Sequence, residues 1–230
     1  MARIVKEHKD RKAELLSAAR TLFLQLGYEH TSVNAIIEEV GVSKGAFYHY
    51  FKSKEDLLDS LVEQLTKEGM AFVQPVVEEE GLTALERLNK FFGVIRGWKA
   101  ENMPLMMAIM RAMYRDENLV LRHKMMERNA AMVAPLLSRI VVKGVEEGVL
   151  DTAYPEDAGE MVYRVAMGFT DMVARLLLDL DQHPENVEVL EQKLALYQDA
   201  IERVLGAPRG SIRIVDETFM QALKGASRSA

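Results

Sequence analysis

Apolar positions recur with a helical period along nearly the whole chain, and strand-like alternation is confined to Ile212, Ile214 and Val215 near the end. The first stripe, Leu15, Ala18, Ala19, Leu22, Phe23 and Leu26, predicts a helix from about Lys9 to Leu26 that Gly27 ends. Ahead of it, residues 1–12 read as a basic, mobile arm. Tyr28 is expected to pack after the turn. The pattern then tightens over TSVNAIIEEVGVSKGAFYHYFKSKEDLL, residues 31–58. Ser32 can cap a short helix whose apolar face is Ile36, Ile37 and Val40. Gly41 sits where a left-handed residue closes that helix, a conformation a Cβ penalises. Val42 plugs the corner and Ser43 caps a second helix, Lys44 to Tyr50. Ser53, with Asp56 three residues on, caps a third in a near capping box. Leu57, Leu58, Leu61, Val62 and Leu65 carry that helix to about Val73, where Pro75 is expected to stop it.

From Thr83 onward the pattern gives helix after helix, punctuated by proline and glycine. The expected spans are about Thr83 to Lys99, Pro104 to Arg115, and Asp116 to Gly148 with a bend at Pro135. Two more follow, from Pro155 to about Asp181 and from Pro184 to Gly206. Apolar coverage between Met161 and Leu180 exceeds the single stripe of a surface helix, so this helix must bury more than one side. Residues 207–230 form a tail, with an extended piece and a short amphipathic helix at Phe219, Met220 and Leu223. The fold class is all-α, with an N-terminal three-helix unit at 1–54, a helical domain at 55–206 and the tail.

Helix, glycine turn and short helix is the helix-turn-helix pattern, whose second helix enters the DNA major groove. The side chains suit that role. Gly45 and Ala46 keep its first turn slim, and Lys44, Tyr48, His49 and Tyr50 supply a cation, hydroxyls and an imidazole. Phe47 and Phe51 face the small core instead. Lys52 and Lys54 flank the next helix start, where free amides already favour a phosphate. Ser32 and Ser43, at the two helix starts, complete the candidate DNA-facing set.

The combination T-S-x-x-x-I, G-V-S-K-G-A-F-Y-H-Y-F and K-S-K-E-D-L-L at this spacing resembles the DNA-binding domain of the TetR family of bacterial transcriptional regulators. Ile37 and Val40 depart from it, standing where the family usually has alanine. The resemblance implies a homodimeric regulator, most often a repressor, reading a pseudo-palindromic operator and released from it by a small molecule. It also implies a dimer interface on the last two long helices, here through Phe169, Met172, Val173, Leu176, Leu190, Leu194, Tyr197 and Ile201. An effector pocket is implied in the middle of the chain. Eight of the chain's 14 methionines lie between 103 and 132, which suits either ordinary core filling or a deformable apolar pocket. The candidate lining is Trp98, Met106, Met107, Met110, Met113, Tyr114, Met132, Tyr163 and Met167, for a hydrophobic effector.

Net charge is −6 over 230 residues, which looks wrong for a DNA binder until it is divided. Residues 1–54 carry nine cations against six acids, a local +3, which leaves −9 for the remainder. Only the N-terminal part has the positive charge that phosphate binding needs. There is no cysteine, so no disulfide framework and no thiolate chemistry. The charged N-terminus and the lack of an apolar run of about 18 residues argue against a signal peptide or a membrane span, and a cytoplasmic location is expected. The histidines are scattered, no glycine-rich phosphate loop or nucleophile elbow occurs, and the acid pairs Glu38–Glu39 and Glu146–Glu147 read as solvated. No catalytic residue, metal or cofactor is expected. Two alternatives stay open: a DNA binder without a small-molecule effector, and an all-α binding module or enzyme that retains a relic DNA-binding domain.

Overall fold

The computed structural model describes residues 2–180, 182–183, 185–216 and 218–221, with the backbone alone at 2–10 and 117. Its helices are α1 (Ala2–His30), α2 (Val33–Val40), α3 (Lys44–Tyr50), α4 (Lys54–Glu78), α5 (Ala84–Glu101), α6 (Met103–Met113), α7 (Leu119–Glu146), α8 (Pro155–Leu178) and α9 (Asn186–Leu205). A 3-10 turn, Asp116–Asn118, precedes α7, and no strand occurs among the described residues. Two compact units divide the chain: Met1–Thr66 with Pro104–Met125, and Lys67–Met103 with Met126–Ala230.

In the first unit, α1 begins at Ala2, so residues expected as a mobile arm extend the helix. Their mixture of lysine, arginine and glutamate favours that state. The side chains of Arg3, Lys6 and Lys9 lie outside the described set. Leu15, Ala19, Leu22 and Phe23 are buried as expected, but Leu26 is 48% exposed, because the backbone breaks from helical geometry at Gly27 (φ 79°). Tyr28 beyond the break is buried edge-on to Phe23, at 5.1 Å. Gly41 adopts φ 70°, ψ 36°, and the amides of Gly41 and Val42 donate to the carbonyls of Glu38 and Ile37. That closes α2 and turns the chain into α3. Phe47 and Phe51 are fully buried, 5.7 Å apart, with Ile36, Leu57, Leu58 and Leu61 in the same small core. Helix α6 is apolar nearly all round, and Met103, Leu105, Met107, Ile109, Ala112 and Met113 are all buried.

The second unit holds the larger core, built from Val73, Leu88, Phe91, Ala130, Ala134, Leu137, Ile140, Val162, Tyr163, Tyr197, Ile201 and Leu205 among others. Helix α4 does not stop at Pro75 but runs through it to Glu78. The proline frees only the carbonyl of exposed Ala71, and buried Arg87 ties down the end by donating to the carbonyls of Val76 and Val77 at 3.2 and 2.6 Å. Thr83 and Glu86 form a full capping box on α5. Glu147, expected to be solvated, accepts the Ala84 amide at 2.7 Å and adds a carboxylate to that helix start. Helices α7 and α8 cross so closely that a Cβ on Gly159 would lie 2.2 Å from the Ser138 amide nitrogen.

Residues 207–216 of the tail form a strap that packs in this unit. Ile212 is fully buried, and Glu202, a buried carboxylate on α9, accepts the amides of Gly210 and Ile212 at 2.9 and 3.0 Å. Asn89 of α5 brackets the strap like a neighbouring strand. Its amide donates to the Ser211 carbonyl at 2.8 Å and its oxygen accepts the Arg213 amide at 2.6 Å. Arg96 adds bonds to the carbonyls of Arg213 and Ile214 and an ion pair to Asp216. Of the expected amphipathic helix, one turn at 218–221 is described; Leu223 lies outside the described residues.

Candidate nucleic-acid interface

Two serine caps aim the recognition elements. Ser32 Oγ accepts the Ala35 amide at 3.0 Å and Ser43 Oγ accepts the Ala46 amide at 3.1 Å, each satisfying a first-turn donor. Both serines are exposed, and both keep a hydroxyl proton for an outside acceptor. Phe47 anchors α3 from below, which turns Lys44, Gly45, Tyr48 and His49 outward; all four are exposed. Ala46 and Tyr50 are half-buried at the flanks. A Cβ added at Gly45 would meet nothing nearer than Ser43 Oγ at 3.9 Å. Internal packing therefore gives no reason for its absence, whereas close approach of a partner would.

Lys52 is exposed, and its amide donates to Asp56 at 2.8 Å while the Asp56 amide donates to Ser53 Oγ at 3.2 Å. The near capping box at the start of α4 is thus formed, shifted by one residue. Lys54 is a correction. Its ammonium donates to the carbonyls of Tyr28 and Thr31 at 2.9 and 3.1 Å and sits 4.1 Å from the Tyr28 ring centroid. It is spent on the end of α1 and not presented to a phosphate. The Tyr28 hydroxyl meets Glu55 at 3.3 Å; burial foremost, then the Glu55 charge, pushes that phenol well above its usual range. Glu55 in turn is held below the usual carboxylate range, chiefly by a hydrogen bond from Ser53.

The sequence reading missed Lys12. Its ammonium lies 5.4 Å from the Phe51 ring, next to the end of α3, although 38 residues of chain intervene. Nothing in the local pattern of α1 signals that neighbour. Arg115 pairs with Glu29 at 2.6 Å, which fastens the segment after α6 to the end of α1.

The other expected sites divide differently from their sequence order. Met106, Met107, Met110, Met113 and Tyr114 belong to the first unit, and Trp98, Met132, Tyr163 and Met167 to the second. Met107, Met113 and Tyr163 are buried and the rest half-buried. On α8, the expected interface residues Phe169, Met172, Val173 and Leu176 are half-buried. On α9, Leu190, Leu194, Tyr197 and Ile201 already face the protomer's own core, Tyr197 stacked on Phe169 at 4.4 Å. These four are corrected as interface residues, because a side chain buried at home has no surface to give a second subunit. Among the described residues, the large apolar side chains exposed on these helices are Met161 (55%) and Leu196 (60%). Among the described residues, no group of three acids or histidines could hold a metal, and no helix is long and apolar enough to cross a membrane.

Known proteins share this architecture. The family profile of bacterial regulatory proteins, tetR family, matches residues 15–61, the three-helix region described above. The chain is 26% identical over 198 residues to the HTH-type transcriptional regulator YfiR of Bacillus subtilis, covering 85% of this chain and 94% of that one. It is 39% identical over 77 residues to the HTH-type transcriptional repressor AcnR of Corynebacterium diphtheriae, 34% of this chain and 38% of that one. The solved structure of the SmeT–triclosan complex superposes with a TM-score of 0.60 at 18% identity, covering 90% of this chain and 98% of that one, a likeness of fold. With a helix-turn-helix whose caps, corner and outward side chains are all in place, residues 15–61 form a tetR-type DNA-binding domain, and over most of its length the chain is similar to an HTH-type transcriptional regulator.

Proposed function

We propose that the protein is a homodimeric repressor that reads a pseudo-palindromic operator and is released by a hydrophobic small molecule. The observation that carries the DNA side is the outward set on α3, Lys44, Gly45, Tyr48 and His49, held on a helix whose other face is buried through Phe47. Tyr50, Ala46, Lys52, Ser32 and Ser43 border that set, and Lys12 adds a cation beside it. Two such helices in a dimer would meet successive major grooves about 34–36 Å apart. The repressor role is supported by AcnR, named a repressor, and effector control by the fold shared with SmeT, solved with triclosan. Dimerisation through α8 and α9 is supported by Met161, Leu196 and the half-buried Met172, Val173 and Leu176. A cytoplasmic location follows from acting on DNA.

Helix α4 links the two activities along the chain, since its first turns start at Lys54 beside the recognition elements and its end is clamped by Arg87 in the second unit. Effector binding that favours a second placement of α4 would lower DNA affinity by a coupling of about 1–3 kcal/mol. The test is fluorescence anisotropy on the DNA upstream of the protein's own gene, with a scrambled duplex as competitor across a range of salt. A preference of about 10³-fold or more, saturating at one or two dimers per site, supports the reading. Equal, salt-labile binding to both duplexes overturns it.

A further inference from the structure

Glu29 carries the less favoured charge for its place in the first unit. It stands just past the Gly27 break (φ 79°, ψ 159°), between Tyr28 and Thr31, whose helix-end carbonyls favour a cation and already receive one from Lys54. The residues around it are fully engaged. The hydroxyl of fully buried Thr31 lies 3.2 and 2.8 Å from the carbonyls of Leu22 and Gly27, and its amide donates to the Tyr28 carbonyl at 3.3 Å. Lys54 and Glu55, the first residues of α4, hold the same segment through those two carbonyls and the Tyr28 hydroxyl. Ser32, next in the chain, caps α2. Residues 28–32 therefore join α1, α2 and the start of α4, and α3 is the helix carried between the last two.

The partner of Glu29 comes from a corner of the same unit that is built to keep its shape. Between α6 and α7, buried Asn118 donates its side-chain amide to the Ala112 carbonyl at 2.8 Å and its backbone amide to the Arg115 carbonyl at 3.0 Å. The Arg115 amide in turn donates to the Ala112 carbonyl at 3.4 Å. Arg122 donates to the Met113 carbonyl at 3.4 Å, and its guanidinium lies 4.3 Å from the Tyr114 ring. The Arg115 backbone is thus held on both sides, and its guanidinium meets Glu29 at 2.6 Å. The two side chains keep 40% and 46% of their surface in water, so the pair adds little to stability. What it adds is a tie between a rigid corner and the junction that carries the recognition helix. Along the chain, that corner leads through α7 into the second unit.

We infer that Arg115 and Glu29 are positioning residues for DNA binding. Through their ion pair the α6–α7 corner holds residues 28–32, and with them the cap of α2 and the start of α4, in the placement that presents α3 to the groove. Neither residue needs to touch DNA. A shift of α6 or α7 moves Arg115 and so bears on Glu29, a line of control separate from the run of α4. This rests on the DNA-binding reading above and names a route by which that site is regulated.

The experiment compares the full-length protein with Glu29→Gln, Arg115→Gln and the exchanged pair Glu29→Arg with Arg115→Glu. Each is read by anisotropy on the DNA upstream of its own gene, against a scrambled duplex, and by amide hydrogen exchange without DNA. Plain electrostatics predicts opposite effects of the two single changes, since losing an acid strengthens attraction to DNA and losing a cation weakens it. Positioning predicts one direction. Both single variants bind about threefold or more weakly, two such pairs being lost per dimer, and the exchanged pair recovers to within about twofold. The salt slope stays unchanged, because no phosphate contact is removed. Exchange of the Thr31 amide quickens in both single variants and recovers in the exchanged pair, while melting temperatures move by only a few degrees. Opposite shifts in affinity, unchanged affinity or unchanged Thr31 exchange overturns the inference. If the parent prefers neither duplex but Thr31 exchange quickens and recovers as described, the hold on the junction stands and the operator reading falls.

Discussion

Lys54 donates its ammonium to the carbonyl of Tyr28 at 2.9 Å and lies over the same residue's ring at 4.1 Å, so one lysine at the start of α4 caps the end of α1. Loss of this charged donor should cost about 2 kcal/mol, because the part-buried Thr31 carbonyl loses the ammonium and the Tyr28 carbonyl keeps only the Thr31 amide. Lys54→Met is therefore expected to lower the denaturation midpoint while leaving the salt slope of DNA binding unchanged. Lys52→Met should do the reverse, preserving stability and reducing that slope by about one. Denaturant titrations and salt-dependent anisotropy on the two variants separate the roles.

Gly45 offers a second separation of stability from binding. Since a methyl there meets no protein atom closer than 3.9 Å, Gly45→Ala should fold at least as stably as the parent, alanine being the better helix former by up to about 1 kcal/mol. Its operator affinity should nonetheless fall, as the methyl stands between the helix backbone and the groove. Unchanged affinity would place the DNA away from the first turn of α3.

At the α7–α8 crossing the expectation is reversed. A methyl on Gly159 would lie 2.2 Å from the Ser138 amide nitrogen and 2.7 Å from its Cα, both backbone atoms that cannot rotate away. Gly159→Ala should destabilise by about 1–3 kcal/mol or more by overpacking, seen as a melting temperature several degrees lower. Crossings of this kind are read by calorimetry on the full-length protein.

The strap over α5 and α9 should contribute to stability through its plug. Ile212 is fully buried, and Ile212→Ala is expected to cost about 2–5 kcal/mol. Asn89→Ala should cost less, about 1–3 kcal/mol, by freeing two strap groups that water can partly reclaim. Chemical denaturation measures both.

Alkaline pH should unfold the protein through its tyrosines. Burial pushes the Tyr163 phenol up to about 12, and Tyr28 and Tyr197 higher still. A phenol raised in the folded state contributes stability that is fully present below its unfolded value near 10 and is lost as pH rises towards the folded value. Melting temperature is therefore expected to be flat up to about pH 9 and to fall steeply above pH 10. Absorbance of tyrosinate should show Tyr28, Tyr163 and Tyr197 ionising only as the fold opens.

The sequence by itself determined what depends on neighbours within about four residues. Ser32, Gly41, Ser43 and Ser53 mark the starts and the corner of the DNA-binding helices because caps and a left-handed turn are satisfied locally, and the structure has each in that role. The buried partners Ile36, Phe47 and Leu57 follow from helical spacing, which fixes which side chains share a face. Tertiary structure decided the rest. Lys54 looked like a phosphate ligand and is a cap, because its carbonyl partners come from the end of α1, far back in the chain. Pro75 looked like a stop and is not, because a guanidinium from α5 reaches the last carbonyls of α4. An apolar stripe cannot say whether it packs on its own protomer or on another, so Leu194 and Ile201 were read as interface while Leu196 and Met161 carry the exposed surface. Polar atoms on different helices likewise meet only once the helices have packed.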